Sequence, residues 1–107
     1  MRVFYESFEI VVPGNSELVM ETITGREDAL PYVTAVGRDL DADTDLLVYV
    51  NDMLVIDVPE TMKMGFENFL PFYYQLAVND VLRGGFRNRS GTPNTMRFTL
   101  QYFYPAA

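Results

Sequence analysis

Between residues 95 and 104 apolar and polar positions alternate. Met96, Phe98, Leu100, Tyr102 and Tyr104 share one parity, and Thr95, Arg97, Thr99 and Gln101 share the other. Successive side chains of a strand point to opposite faces, so this pattern predicts a long strand with one buried and one wet side. Phe103 alone interrupts the polar set. Such a strand needs partners to pair with it and cover it, and the remaining chain must supply them.

The same alternation recurs upstream. Residues 2–12 carry Phe4, Phe8, Ile10 and Val12 on one parity, with Glu6 as the exception. Pro13-Gly14-Asn15-Ser16 is a dense turn signal, and the alternating residues 18–24 after it are expected to return as a hairpin on the first strand. Residues 25–28 form another polar turn, and residues 32–36 are a short β-branched run. Residues 37–45 read as an acidic loop.

Residues 46–58 give the second clear pattern. Two β-rich runs flank Asn51-Asp52, residue types that tolerate the positive φ of a two-residue hairpin turn. That turn would place Val50 opposite Met53 and Val48 opposite Val55 on one side, with Tyr49 opposite Leu54 and Leu47 opposite Ile56 on the other. Both faces of this hairpin are then apolar, although a two-layer sandwich buries only one face of each sheet. The second face requires a cover, either the segment 59–70 or another chain.

Residues 59–70 fit a loop with one helical turn. Residues 72–78 fit both periods, and the aromatic density of Phe72-Tyr73-Tyr74 favours a strand. Residues 81–88 form a seventh strand, with a bulge or bend expected at Gly84-Gly85. Residues 89–94 make the last turn. About eight short strands separated by turn residues predict an all-β antiparallel two-sheet sandwich, an eight-stranded jelly roll first and an immunoglobulin-like sandwich second.

Composition narrows the functions. The 107 residues suit one domain, and 49% hydrophobic with 14% aromatic content argues for a packed core. Fifteen acidic against eight basic residues give a net charge of −7, which disfavours nucleic acid and anionic membranes as partners. Cysteine and histidine are absent, which removes thiolate chemistry and the usual general base. No apolar run approaches the ~20 residues of a membrane helix. Glu6 and Glu9 interrupt the start, so no signal peptide is expected.

Several residue groups carry candidate chemistry. Asp39, Asp41, Asp43 and Asp45, with Asp52 nearby, could hold calcium, a hard ion that seeks clustered oxygens. The helix-loop-helix calcium pattern does not fit, because counting from Asp41 puts Leu46 where Gly is needed and Asp52 where Glu is needed. A solvated acidic turn is the plainer explanation. Glu9, Glu17, Glu21, Glu60 and Glu67 could in principle supply a paired-carboxylate hydrolase, but none sits in a motif. Arg83, Arg87, Arg89 and Arg97, with Phe86 and Tyr102 near, could form a weak phosphate or single-strand site; pairing with carboxylates of this or a neighbouring copy accounts for them better. The aromatic set Phe66, Phe69, Phe72, Tyr73 and Tyr74 could stack on sugar, or serve as core or protein interface.

In the last third, Leu76-Ala77-Val78-Asn79-Asp80-Val81-Leu82, then Phe86-Arg87-Asn88-Arg89-Ser90-Gly91, then residues 96–104 resemble the closing strands of viral and phage single jelly-roll proteins. An Asp-containing turn introduces a strand, an Asn-x-Ser-Gly turn follows, and an aromatic-alternating strand returns into the core. The resemblance covers roughly the last 30 residues and is one of pattern. It implies a virion component, usually trimeric or pentameric. The short chain and the lack of a basic arm point to a decoration, cement or minor capsid protein more than to the principal shell protein.

The sequence therefore leads us to expect a non-enzymatic structural subunit, made in the host cytoplasm, that self-associates as a trimer or pentamer and binds other virion proteins. Its expected contact comprises Leu47, Val48, Tyr49, Leu54, Val55 and Ile56 with Phe66, Phe69, Phe72, Tyr73 and Tyr74. A carbohydrate-binding module is the alternative. No cofactor is expected beyond the candidate calcium.

Overall fold

A computed structural model describes residues 2–39, 41–59 and 69–105. Among them are eight strands: β1 (Val3–Val12), β2 (Ser16–Thr24), β3 (Tyr32–Arg38), β4 (Thr44–Val50), β5 (Met53–Pro59), β6 (Phe69–Gln75), β7 (Val81–Asn88) and β8 (Asn94–Phe103). They form two four-stranded sheets, ordered β1-β8-β3-β6 and β2-β7-β4-β5, with antiparallel pairing throughout. Only β4 and β5 are consecutive strands paired in one sheet; every other connection crosses between layers. This is the all-β sandwich that the alternation predicts, with the strand order of a jelly roll.

The strand at residues 95–104 lies at the centre. β8 pairs with both β1 and β3, and its Met96, Phe98, Leu100 and Tyr102 all face inward at no more than 6% exposure. Phe98 stacks on Phe8 at 5.3 Å and meets the edge of Phe86 from the opposite sheet at 6.0 Å. The strand ends at Phe103, so Tyr104, on the buried parity, is 41% exposed. Glu6, the exception on β1, sits opposite Leu100 and accepts a 2.8 Å hydrogen bond from the Tyr102 hydroxyl. Burial first, and then this carboxylate, push the Tyr102 pKa well above the ordinary phenol value.

Several expectations need correction. The chain does not fold β1 and β2 into a hairpin, because β1 pairs with β8 and β2 with β7. The turn between them instead docks on the 89–94 turn, with the Asn15 amide donating to the Ser90 carbonyl at 2.8 Å. Gly84 and Gly85 make no bulge, since β7 runs in unbroken register against β4. They serve close packing: a Cβ on Gly84 would lie 2.5 Å from the Phe98 ring, and one on Gly85 2.0 Å from the Leu18 carbonyl oxygen. Residues 69–75 form β6, and Val78 falls in the following turn instead of the strand. The expected loop at 59–70 begins with the last residue of β5 and ends with two residues of β6, while residues 60–68 lie outside the described residues.

The central hairpin turns at Asn51-Asp52 as expected, with Asn51 at φ 54°. Its register shifts between Val48 and Tyr49, so Val48 faces Ile56 and Leu47 faces Asp57. One extra residue, Val55, therefore inverts the expected parity of β5 beyond Leu54. Ile56 and Val58 turn into the core, while Asp57 turns out.

Candidate functional site

The two segments chosen from the sequence as a contact surface, 47–56 and 66–74, end up on one lateral edge of the sandwich. Among the described strands, β5 and β6 each have a neighbour on one side only. β1 lies over β2 and β8 over β7, so the two sheet orders run in parallel and set β6 over β5. Met53 is 58% exposed, Leu54 42% and Tyr73 67%. Tyr49, Val55, Phe69, Phe72 and Tyr74 are half-buried.

Other members of the expected contact are corrected. Val48 and Ile56 belong to the core cluster, and Leu47 is fully buried on the outer side of its sheet, so none of the three is open surface on the single chain. Phe72 and Tyr74 stack on each other at 6.0 Å and pack against the core, whereas Phe69 and Tyr73 point outward. The five aromatics are thus split between two sides of β6, because a strand alternates its side chains. Phe66 lies outside the described residues.

The two edges of the sandwich differ in charge. The β1/β2 edge carries Glu6, Glu9, Glu17 and Glu21, all exposed. Among the described residues of β5 and β6, Asp57 is the only ionisable acid or base apart from tyrosine. Asp57 is itself neutralised by two 3.1 Å hydrogen bonds from Arg87. Unpaired backbone groups on the neutral, apolar β5 invite another strand, whereas Pro71 blunts β6, whose contribution is its apolar side chains, and carboxylates repel a like edge.

The arginines act within the chain. Arg87 bridges three strands on the outer face of the second sheet, reaching Glu17 on β2 at 3.4 Å, Asp45 on β4 at 3.0 Å and Asp57 on β5. Arg89 also binds Asp45 at 3.2 Å, and Arg83 binds Glu21 at 3.2 Å. Arg97 is exposed opposite Glu9 on the other sheet. Phe86 and Tyr102 are buried, so neither can stack on a base. Arg87 and Arg89, with Asn15, Ser16, Glu17 and Asn88, line an open cleft of about 410 Å³, and both cations are held by carboxylates, Glu17 within the lining and Asp45 and Asp57 outside it.

The aspartates do not converge. Asp39 and Asp43 are exposed on the β3–β4 loop, Asp41 is half-buried, and Asp45 is a strand residue held by two arginines. Asp52 lies on the β4–β5 turn. Among the described residues no three acidic side chains are grouped to hold a metal. Of the glutamates, Glu17 and Glu21 are tied to arginines and Glu9 lies on the opposite sheet; Glu60 and Glu67 fall outside the described residues.

One group escapes the apolar pattern of the sequence. Tyr5 lies on the outward parity of β1 and is 64% exposed. It meets the edge of Phe69 at 6.2 Å and accepts a 2.5 Å hydrogen bond from Gln101 Nε2. On the same outer face Phe103 stacks on Tyr32 at 5.4 Å. The available signal was Phe103, which breaks the polar parity of β8, and Tyr5, an aromatic on the mixed outward parity of β1.

No family model matches the sequence, and a search of curated proteins finds no match. The fold resembles the nucleoplasmin-like N-terminal domain of Drosophila FKBP39, with a TM-score of 0.51 at 7% identity. That likeness spans 98% of this chain and 92% of the other, and it is one of β-sandwich architecture.

Proposed function

We propose that the protein is a non-enzymatic structural subunit that associates with copies of itself through the β5/β6 edge. The observation that carries this reading is the edge asymmetry: exposed Met53, Leu54 and Tyr73 lie on edge strands whose one charge, Asp57, is paired, while the opposite edge bears four glutamates, of which Glu17 and Glu21 are paired with arginines. Association would remove apolar surface from water, at about 25 cal/mol per Å² before association costs. The finer reading is a virion component of the decoration, cement or minor capsid type. Its support is the pattern of the closing strands together with the jelly-roll strand order.

Light scattering during size-exclusion chromatography tests the reading. The wild-type chain should elute as a discrete oligomer, and Leu54→Asp with Tyr73→Asp should release a folded monomer with an unchanged far-ultraviolet spectrum. These positions are better than Val55, which is half-buried against the core and would confound dissociation with unfolding. A wild-type monomer at high concentration, or a double variant with the wild-type mass, would overturn it.

A further inference from the structure

We propose that the outer face of the β1-β8-β3-β6 sheet is a separate binding site for a neutral oligosaccharide. The face is built from the outward parity of four strands, about 14 Å across. Tyr5 on β1 and Phe69 on β6 start from opposite edges, yet their rings meet over the middle strands. They do so because β3 presents Ala35 and Gly37 between them. Phe69 lies directly over Gly37, where a Cβ would come within 2.9 Å of the ring. Tyr32 and Phe103 add a stacked pair one step along the strands.

Uncharged hydrogen-bonding groups sit among these rings. The Thr34 hydroxyl donates to Gln101 Oε1 at 2.8 Å, and Gln101 Nε2 donates to the Tyr5 oxygen. This chain fixes the exposed Tyr5 ring in advance and leaves its own O–H to donate outward, which reduces the ordering cost of binding. Ser7 and Thr99 continue the row with a mutual 2.8 Å hydrogen bond. From the Val3–Phe103 pair to the Ser7–Thr99 pair, no outward residue of β1, β8, β3 or β6 carries a charge, in a protein of net charge −7.

That chemistry selects its ligand. Rings offer stacking area to the C–H faces of a pyranose, and amide and hydroxyl groups answer its hydroxyls. A uronate or sulfated chain would find no cation in the strip and would be repelled by the acidic protein. A protein contact would more characteristically concentrate apolar groups at its centre and push hydrogen-bonding groups to the rim.

Calorimetric titration with cellohexaose, maltohexaose and xylohexaose, with hexagalacturonate as the anionic control, tests the proposal. At least one neutral hexasaccharide should bind saturably and hexagalacturonate should not. Tyr5→Ala should weaken that binding about tenfold or more, Tyr5→Phe should weaken it less, and Leu18→Ala, exposed on β2 of the other sheet, should leave it unchanged. Absence of binding by all three neutral sugars, or equal binding by Tyr5→Ala, overturns the proposal. A Tyr5→Ala variant whose light-scattering mass falls while sugar binding persists would make the face a subunit contact instead. β6 contributes to both surfaces through Phe69 and Tyr73, so the two readings are separated by Tyr5 on β1 and Leu54 on β5, each of which belongs to one surface alone.

Discussion

Tyr102 and Arg87 show how single side chains reconcile polarity with burial. Tyr102 is 6% exposed, and its hydroxyl is satisfied by Glu6, so the ring can fill the core while the oxygen stays bonded. Its raised pKa fixes the sign of a pH effect. The unfolded chain ionises near pH ~10 and the folded chain higher, so stability is intact below that point and is lost as pH climbs above it. Thermal unfolding of wild type should decline through this alkaline range, and Tyr102→Phe should decline less; parallel curves would contradict the assignment. Arg87 holds Asp45, whose side chain is only 9% exposed. Arg87→Met should cost about 1–3 kcal/mol in urea unfolding, because Asp45 keeps Arg89 but loses a partner in a poorly solvated site. A cost within a few tenths of a kcal/mol would place Arg87 among the weak surface pairs.

At the scale of elements, legibility follows from how local the determining physics is. The parity of β8 depends on its own side chains, so Met96, Phe98, Leu100 and Tyr102 could be assigned to the core from sequence. The Asn51 turn is equally local. The register of β5 was not legible, because Val55 is one of several apolar residues in a row and nothing in its type marks it as the extra one. The fate of Gly84-Gly85 depended on Phe98 and Leu18, residues from other strands, so a local reading chose a bulge where the cause is close packing. The partner of β1 was a question of topology: ten paired positions on β8 prevail over the nearest strand in sequence.

At the scale of the whole molecule, the candidate surface was half legible. The sequence joined 47–56 to 66–74 on apolar content alone, and the fold brings β5 and β6 to one edge while withdrawing Leu47, Val48 and Ile56 from it. Tyr5 was missed because its parity on β1 mixes Val3, Ser7, Glu9 and Val11 without a pattern, and only its neighbours across the sheet reveal a platform. The asymmetry between an acidic edge and a neutral one emerges only when all four edge strands are placed. On the proposed reading, an acidic chain would associate through one side while its other side repels copies.

Backbone hydrogen exchange at two protein concentrations tests that asymmetry most directly. Amides of Met53–Pro59 and Phe69–Gln75, apart from Pro59 and Pro71, which carry none, should exchange more slowly at high concentration, with β1 and β2 unchanged. Protection that ignores concentration, or that changes on the β1/β2 edge instead, would contradict it.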